Sequence, residues 1–141
     1  MRFPDTNVLL NAVNEDAPRH DVARDWLNGA LSDTEAVGFA WLGLLGFLRI
    51  ATKQAVFANP LTPVGALDLI DDWLARPQAT LLHPSDRHLS VLRELTEKTG
   101  TAGDLTSDAH LAAIAIEHGA RLATFDTDFY RFKGLRLDYL G

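Results

Sequence analysis

Short apolar runs alternate along the chain with stretches of helical period. That alternation predicts an α/β fold, with a central mostly parallel sheet flanked by helices. Arg2 to Asp5 reads as the first strand, with Pro4 an unusual residue for a central strand. A helix carrying Val8, Leu9, Leu10 and Val13 follows. A second begins near Pro18, and its apolar positions Val22, Ala23, Trp26, Leu27 and Ala30 fall at helical spacing. Ala36 to Ala40 reads as a second strand. Trp41 to Thr52 reads as a helix that is apolar nearly all round and hence buried. Thr62 and Pro63 open a helix whose inward residues are Ala66, Leu67, Ile70, Trp73 and Leu74. Thr80 to Leu82 is a third strand, and Ser85 to Lys98 a helix with Leu89, Leu92 and Leu95 inward. After a loop from Gly100 to Leu105, a helix starting at Thr106 or Ser107 stops before Gly119. Arg121 to Thr124 and Leu135 to Leu137 read as the last strands.

Composition narrows the possibilities. The 141 residues suit a single domain spanning 1–141, and 47% of them are hydrophobic, enough for a core. The absence of cysteine excludes a disulfide framework, a thiolate metal site and a cysteine nucleophile. The most apolar stretch, Val37 to Leu48, is too short to span a bilayer and is closed by Arg49 and Lys53. These features predict a cytoplasmic protein with no membrane segment. The net charge of −6 argues at first against a nucleic-acid partner. Its distribution leaves the matter open: no acidic residue occurs from Ala36 to Gly65, and a carboxylate cluster can account for part of the excess.

The candidate chemistry lies in four aspartates. Asp5 ends the first strand, Asp126 and Asp128 follow the strand ending at Thr124, and Asp108 sits in the first turn of the preceding helix. Ligands of open parallel sheets bind at the carboxyl ends of strands, so these residues can converge. Gathered carboxylates repel one another and call for a cation. Oxygen-only ligands favour a hard ion such as Mg²⁺ or Mn²⁺, which suits phosphodiester hydrolysis. Taken singly, Asp5 also reads as a helix cap, Asp108 as a favourable charge at a helix start, and Asp126 to Asp128 as a solvated turn. Thr124 is a hydroxyl placed to hold a water or a carboxylate, or an ordinary strand residue. Ala109, Ala112, Ala113 and Ala115 make the helix thin enough to pack close to the sheet.

Three blocks resemble the PIN domain, and within it the VapC toxins of bacterial toxin–antitoxin pairs. They are Phe3-Pro4-Asp5-Thr6-Asn7-Val8-Leu9-Leu10, Ser107-Asp108-Ala109-His110-Leu111-Ala112-Ala113-Ile114-Ala115, and Gly119-Ala120-Arg121-Leu122-Ala123-Thr124-Phe125-Asp126-Thr127-Asp128-Phe129. The resemblance implies a Mg²⁺- or Mn²⁺-dependent endoribonuclease acting on transfer or ribosomal RNA, inhibited by a VapB-type antitoxin and forming homodimers. It implies that Asp5, Asp108 and Asp126 are metal ligands, that Asp128 is a further catalytic group, and that Asn7 and Thr124 orient ligands or water.

One position departs from the family. Gly46, in Leu44-Leu45-Gly46-Phe47-Leu48-Arg49, stands where the family usually has a Glu. Asp104 is a candidate substitute, or a simple loop residue. Arg49 and Lys53 are candidates to touch RNA phosphate or an antitoxin carboxylate, or are a solvated helix end. His110 and His118 read as packing or surface residues, and Trp41 and Phe47 as core or dimer-interface residues. Gly46 also motivates a competing reading, a catalytically silent PIN-like module that binds RNA or a partner protein. A phosphotransferase of the haloacid-dehalogenase type is a third reading, weakened because Asn7 occupies the place of its second Asp.

Overall fold

A computed structural model describes residues 1–100 and 102–141. Its strands are β1 (Arg2–Pro4), β2 (Val37–Phe39), β3 (Ala79–Leu81), β4 (Arg121–Thr124) and β5 (Arg136–Tyr139). They form one sheet in the order β3-β2-β1-β4-β5, with every pairing parallel. The helices are α1 (Thr6–Val13), α2 (His20–Ser32), α3 (Trp41–Ala51), α4 (Pro63–Leu74), α5 (His88–Thr99) and α6 (Thr106–Glu117). Two short 3₁₀ turns, Gly103–Leu105 and Thr127–Arg131, complete the elements. Among the described residues no helix is long and apolar enough to cross a membrane.

Pro4 is compatible with the central strand because of where the ladders run. Toward β2, β1 pairs only at Arg2↔Val37, whereas toward β4 the register continues through Pro4↔Ala123. The Arg2 N–H donates to Ala36 on the β2 side, and the Asp5 N–H donates to Ala123 on the β4 side. By strand alternation the Pro4 nitrogen faces β2, beyond that ladder's only bridge, so its missing donor breaks no pairing.

Alternate strand residues feed separate cores. Phe3 and Leu122 pack with Leu95 of α5 and the buried alanines of α6. Val37 and Phe39 pack with Leu9, Leu27, Phe47, Ile70 and Trp73 from α1 to α4. In α6, Ala109, Ala112, Ala113 and Ala115 are all buried, as expected of a helix seated close to a sheet. Thr62 caps α4 by accepting the Gly65 N–H at 3.0 Å. Gly119, with φ of +63°, turns the chain from α6 into β4, a conformation that favours glycine.

Several expectations are corrected. Helix α3 is not buried all round: Phe47 is in the core, but Trp41, Leu42 and Leu45 are exposed. Of its remaining apolar residues, Leu42, Leu45 and Ile50 line a cleft. Val22, Leu67 and Leu89 are also exposed, on the outer faces of their helices. Helix α2 begins at His20, after a turn that contains Pro18, and α5 begins at His88. Of the loop expected from Gly100 to Leu105, Thr101 lies outside the described residues.

Candidate active site

Strands β1 and β4 are neighbours, so their carboxyl ends bring residues 5 and 124 together across 119 positions of sequence. Asp5 is nearly buried. Its Oδ1 accepts the Thr6 N–H at 2.7 Å, and its Oδ2 accepts the Thr124 hydroxyl at 2.7 Å. The Thr124 oxygen accepts from Asn7 Nδ2 at 3.1 Å and from the Asp126 N–H at 3.0 Å. With one donor and two acceptor sites in use, that hydroxyl is fully committed. Asn7 Oδ1 accepts the Phe125 N–H at 3.2 Å, tying α1 to β4 a second time. Asn7 and Thr124 thus form a brace between the two strand ends.

Asp126 follows the strand and accepts the Asp128 N–H at 2.8 Å, which starts the 3₁₀ turn that presents Asp128. Asp108 comes from the first turn of α6. One carboxylate oxygen from each of Asp108, Asp126 and Asp128 lies within 4.8 Å of the others. This oxygen-only triplet could hold a metal ion, and its chemistry suits a hard divalent cation. Asp5 lies beside this triplet: its oxygens accept from Thr6 and Thr124, and its charge acts on Asp108 ahead of those of Asp126 and Asp128.

The electrostatics record the crowding. Burial pushes the Asp108 carboxyl up to about 6, reinforced by the negative charges of Asp5, Asp126 and Asp128. Burial also raises Asp5. The Thr124 and Thr6 hydrogen bonds oppose that rise, and the Asp126 charge adds to it. Both groups would ionise more readily with a cation in the triplet.

A cleft of about 490 Å³ opens over these acids. Its lining includes Asp5, Asp108 and Asp126, Leu10 of α1, and Leu42, Leu45, Arg49 and Ile50, which recur at helical spacing on one face of α3. Gly46 also lines it. A β-carbon at that position would come within 3.0 Å of Thr6 Oγ1 and 3.1 Å of Thr6 Cγ2. Thr6 Oγ1 donates to the Gly43 carbonyl at 3.2 Å, so Thr6 is seated against the glycine face of α3. The structure does not bring Asp104 to the cluster: it is exposed in the 3₁₀ turn before α6 and does not line the cleft. Lys53 is exposed beyond the end of α3 and also lies off the cleft lining.

A second polar network escaped the sequence reading. The Glu117 side chain is fully buried, and its Oε1 accepts the Ser85 N–H at 2.8 Å and the Ser85 hydroxyl at 2.6 Å. Its Oε2 pairs with His88 Nδ1 at 2.6 Å, and His88 Nε2 meets His110 Nδ1 at 2.9 Å. His110 is therefore a member of a clasp between α5 and α6, and His118 bonds the His83 carbonyl. Ser85, His88 and Glu117 are spread over 32 positions of sequence, and no local pattern signals their meeting.

Aspartates gathered near the carboxyl ends of two parallel strands, on a cleft that Arg49 also lines, are the arrangement expected of a PIN-type fold. The PIN domain family matches residues 2–135. Ribonuclease VapC37 of Mycobacterium tuberculosis is 46% identical over 98% of this chain and 96% of its own length. Ribonuclease VapC33 of the same species is 40% identical over 96% of this chain and 95% of its own. The chain belongs to the PIN-domain family, among the VapC-type ribonucleases. Solved structures share the fold at lower identity. VapBC2 from Rickettsia felis, bound to a promoter DNA fragment, matches with a TM-score of 0.73 at 17% identity, covering 99% of this chain and 98% of that one. VapC20 of M. tuberculosis, a sarcin–ricin loop-cleaving toxin, matches at 0.65 and 17%, covering 96% and 99%.

Proposed function

We propose that the chain is a Mg²⁺- or Mn²⁺-dependent endoribonuclease toxin of the cytoplasm, which hydrolyses phosphodiester bonds of transfer or ribosomal RNA and is held inactive by a VapB-type antitoxin. The observation that carries this reading is the Asp108–Asp126–Asp128 triplet, three carboxylate oxygens within 4.8 Å beside a buried fourth acid.

Asp108 and Asp126 would hold the cation, with Asp5, fixed by Thr6 and Thr124 at the floor of the cleft, and Asp128 as the further acids around it. When bound, a divalent ion polarises a phosphoryl oxygen and lowers the pKa of a coordinated water. Arg49 faces the same cleft and takes the substrate phosphate, with Lys53 extending the positive edge. Asn7 and Thr124 keep the two strand ends in register, so the acids do not move apart as charge changes. Hydrolysis adds water across the bond: hydroxide joins phosphorus, the phosphorus–oxygen ester bond breaks, and the departing oxygen takes the proton.

The antitoxin reading is supported by the relatives named VapC and by solved VapBC assemblies of the same fold. The exposed Val64 and Leu67 of α4 give an apolar face that suits a homodimer.

The test is cleavage of total RNA by the purified protein with Mg²⁺, with Mn²⁺ and with EDTA, alongside Asp5→Asn and Asp108→Asn. Cleavage that needs metal and vanishes in both folded variants is the expected result. RNA binding without cleavage under either metal would replace the nuclease with the silent binding module that Gly46 first suggested.

A further inference from the structure

The cleft has two chemically distinct walls, and the acids account for only one of them. The other is the face of α3 that carries Leu42, Leu45 and Ile50, with Arg49 on the same face and Leu10 of α1 beside them in the lining. Leu42 and Leu45 are 39% and 55% exposed, and Trp41 at the start of the same helix is 46% exposed. Leu42 and Leu45 therefore present apolar surface to solvent inside the cleft that also holds the acids. A phosphodiester placed over the carboxylates carries a nucleotide on each side. One of those nucleotides must leave the acids toward this wall, because both surfaces line one cavity.

We propose that the leucine wall is a nucleoside subsite, where the base of an unpaired nucleotide next to the scissile bond lies on Leu42 and Leu45 while Arg49 holds its phosphate. The proposal deepens the nuclease reading and rests on it. Three observations select a nucleotide as the occupant. The wall is continuous with the acids. The guanidinium of Arg49 complements a phosphate on that face. The cleft of about 490 Å³ has the size of a small-ligand pocket.

The character of the wall also limits what it can read. Leucine and isoleucine side chains offer no hydrogen-bond donor or acceptor, so they contact the flat face of a base and not its edges. A base in a duplex hides both faces in the stack, so only an unpaired or extruded base can lie there. The subsite therefore selects for single-stranded or looped RNA and accepts any of the four bases.

The test uses the intact protein with Mg²⁺ and probes that cannot be cleaved: AMP, UMP and, lacking a base, ribose 5-phosphate. Methyl resonances of Leu42, Leu45 and Ile50 are followed by NMR, with Leu122 in the core as the control. Both nucleotides are expected to move the wall methyls, while ribose 5-phosphate leaves them in place. The Leu42→Ser/Leu45→Gln variant changes only exposed positions. It is expected to bind nucleotides at least about fivefold more weakly, close to the affinity for the sugar phosphate. Wall methyls that ignore both nucleotides would overturn the proposal. Broadening of those methyls with protein concentration in place of a nucleotide response would also overturn it, assigning the wall to a second copy of the chain. The two readings fail separately. RNA cleavage with a silent wall ends the subsite alone, and a responding wall without RNA cleavage ends the nuclease alone.

Discussion

The Thr124 hydroxyl donates to Asp5 Oδ2 at 2.7 Å, and this one bond couples the end of β4 to the end of β1 at the floor of the cleft. Because the same oxygen accepts from Asn7 and from the Asp126 backbone, removing it disturbs both acid-bearing segments, residues 5–7 and 124–126, together. Thr124→Val keeps the shape and deletes the hydroxyl, leaving the nearly buried Asp5 oxygen unpaired. The expected cost is about 1–3 kcal/mol of stability, read from denaturant unfolding. A loss of roughly tenfold or more in RNA cleavage is expected at temperatures where the variant is folded. Thr124→Ser, which retains the hydroxyl, should recover most of both.

Asp108 gives a pH signature. Its folded pKa, about 6, lies above the 3.8 of an unperturbed aspartate. The folded protein without metal therefore binds a proton more tightly than the unfolded chain does. The stability this proton contributes is complete below pH 3.8 and is lost as pH rises through 6. Asp108→Asn should thus stabilise the metal-free protein at pH 7 by about 1–2 kcal/mol, after discounting for the half-exposed setting of the group. The same variant should lose metal-dependent cleavage. In the wild type, metal affinity measured by calorimetry should fall about tenfold per pH unit below 6, as the proton competes with the ion.

Gly46 is the position most open to a constructive test. A glutamate introduced there meets Thr6, whose Oγ1 lies 3.0 Å from the β-carbon site. Thr6 also donates its N–H to Asp5, so the clash is transmitted to a site acid. Gly46→Glu should lower the melting temperature and reduce cleavage in place of increasing it. Gly46→Glu combined with Thr6→Ala should recover stability, as a thermal melt of the three proteins would reveal. Equal or higher activity in the single variant would show that α3 accepts a fourth acid as it stands.

The α5–α6 clasp predicts acid sensitivity away from the cleft. Burial raises the Glu117 carboxyl, but the hydrogen bonds from Ser85 and His88 outweigh it, and the net shift is downward from 4.5. A depressed carboxyl contributes stability above its unfolded pKa and loses it as pH falls through the folded value. His110 is lowered from 6.5, by burial first and then by His88, so its protonation also opposes the fold in acid. Glu117→Gln should destabilise by about 2 kcal/mol at pH 7 and flatten the decline of stability on acidification. RNA cleavage per folded molecule at pH 7 should not change, because no member of this network lines the cleft.

The order of strands and helices was legible in the chain because apolar periodicity is strong and some helices carry their own start or stop, such as Thr62 and Gly119. The four aspartates were legible because parallel strands deliver their last residues to one edge. Which acids form the triplet was not legible. Asp128 joins Asp108 and Asp126 through a 3₁₀ turn set by an Asp126 side-chain bond, while Asp5 is fixed by Thr6 and Thr124. The exposure of Leu42 and Leu45 was equally hidden, since an apolar helix looks the same whether its outer side meets a core or a cleft. The Glu117–His88–His110 chain depends on how α5 leans on α6, and no single stretch of sequence encodes that contact.

The pairing of β1 with β4 has a consequence for the order in which the molecule comes into being. Asp5 is made well before the hydroxyl that positions it and two of the three triplet acids, which come from residues 124–128. During synthesis, strand β1 waits for a neighbour that follows more than a hundred residues later. A chain interrupted anywhere before β4 carries neither the brace nor the triplet. The acid cluster and its brace therefore assemble only once β4 has been made and has docked beside β1.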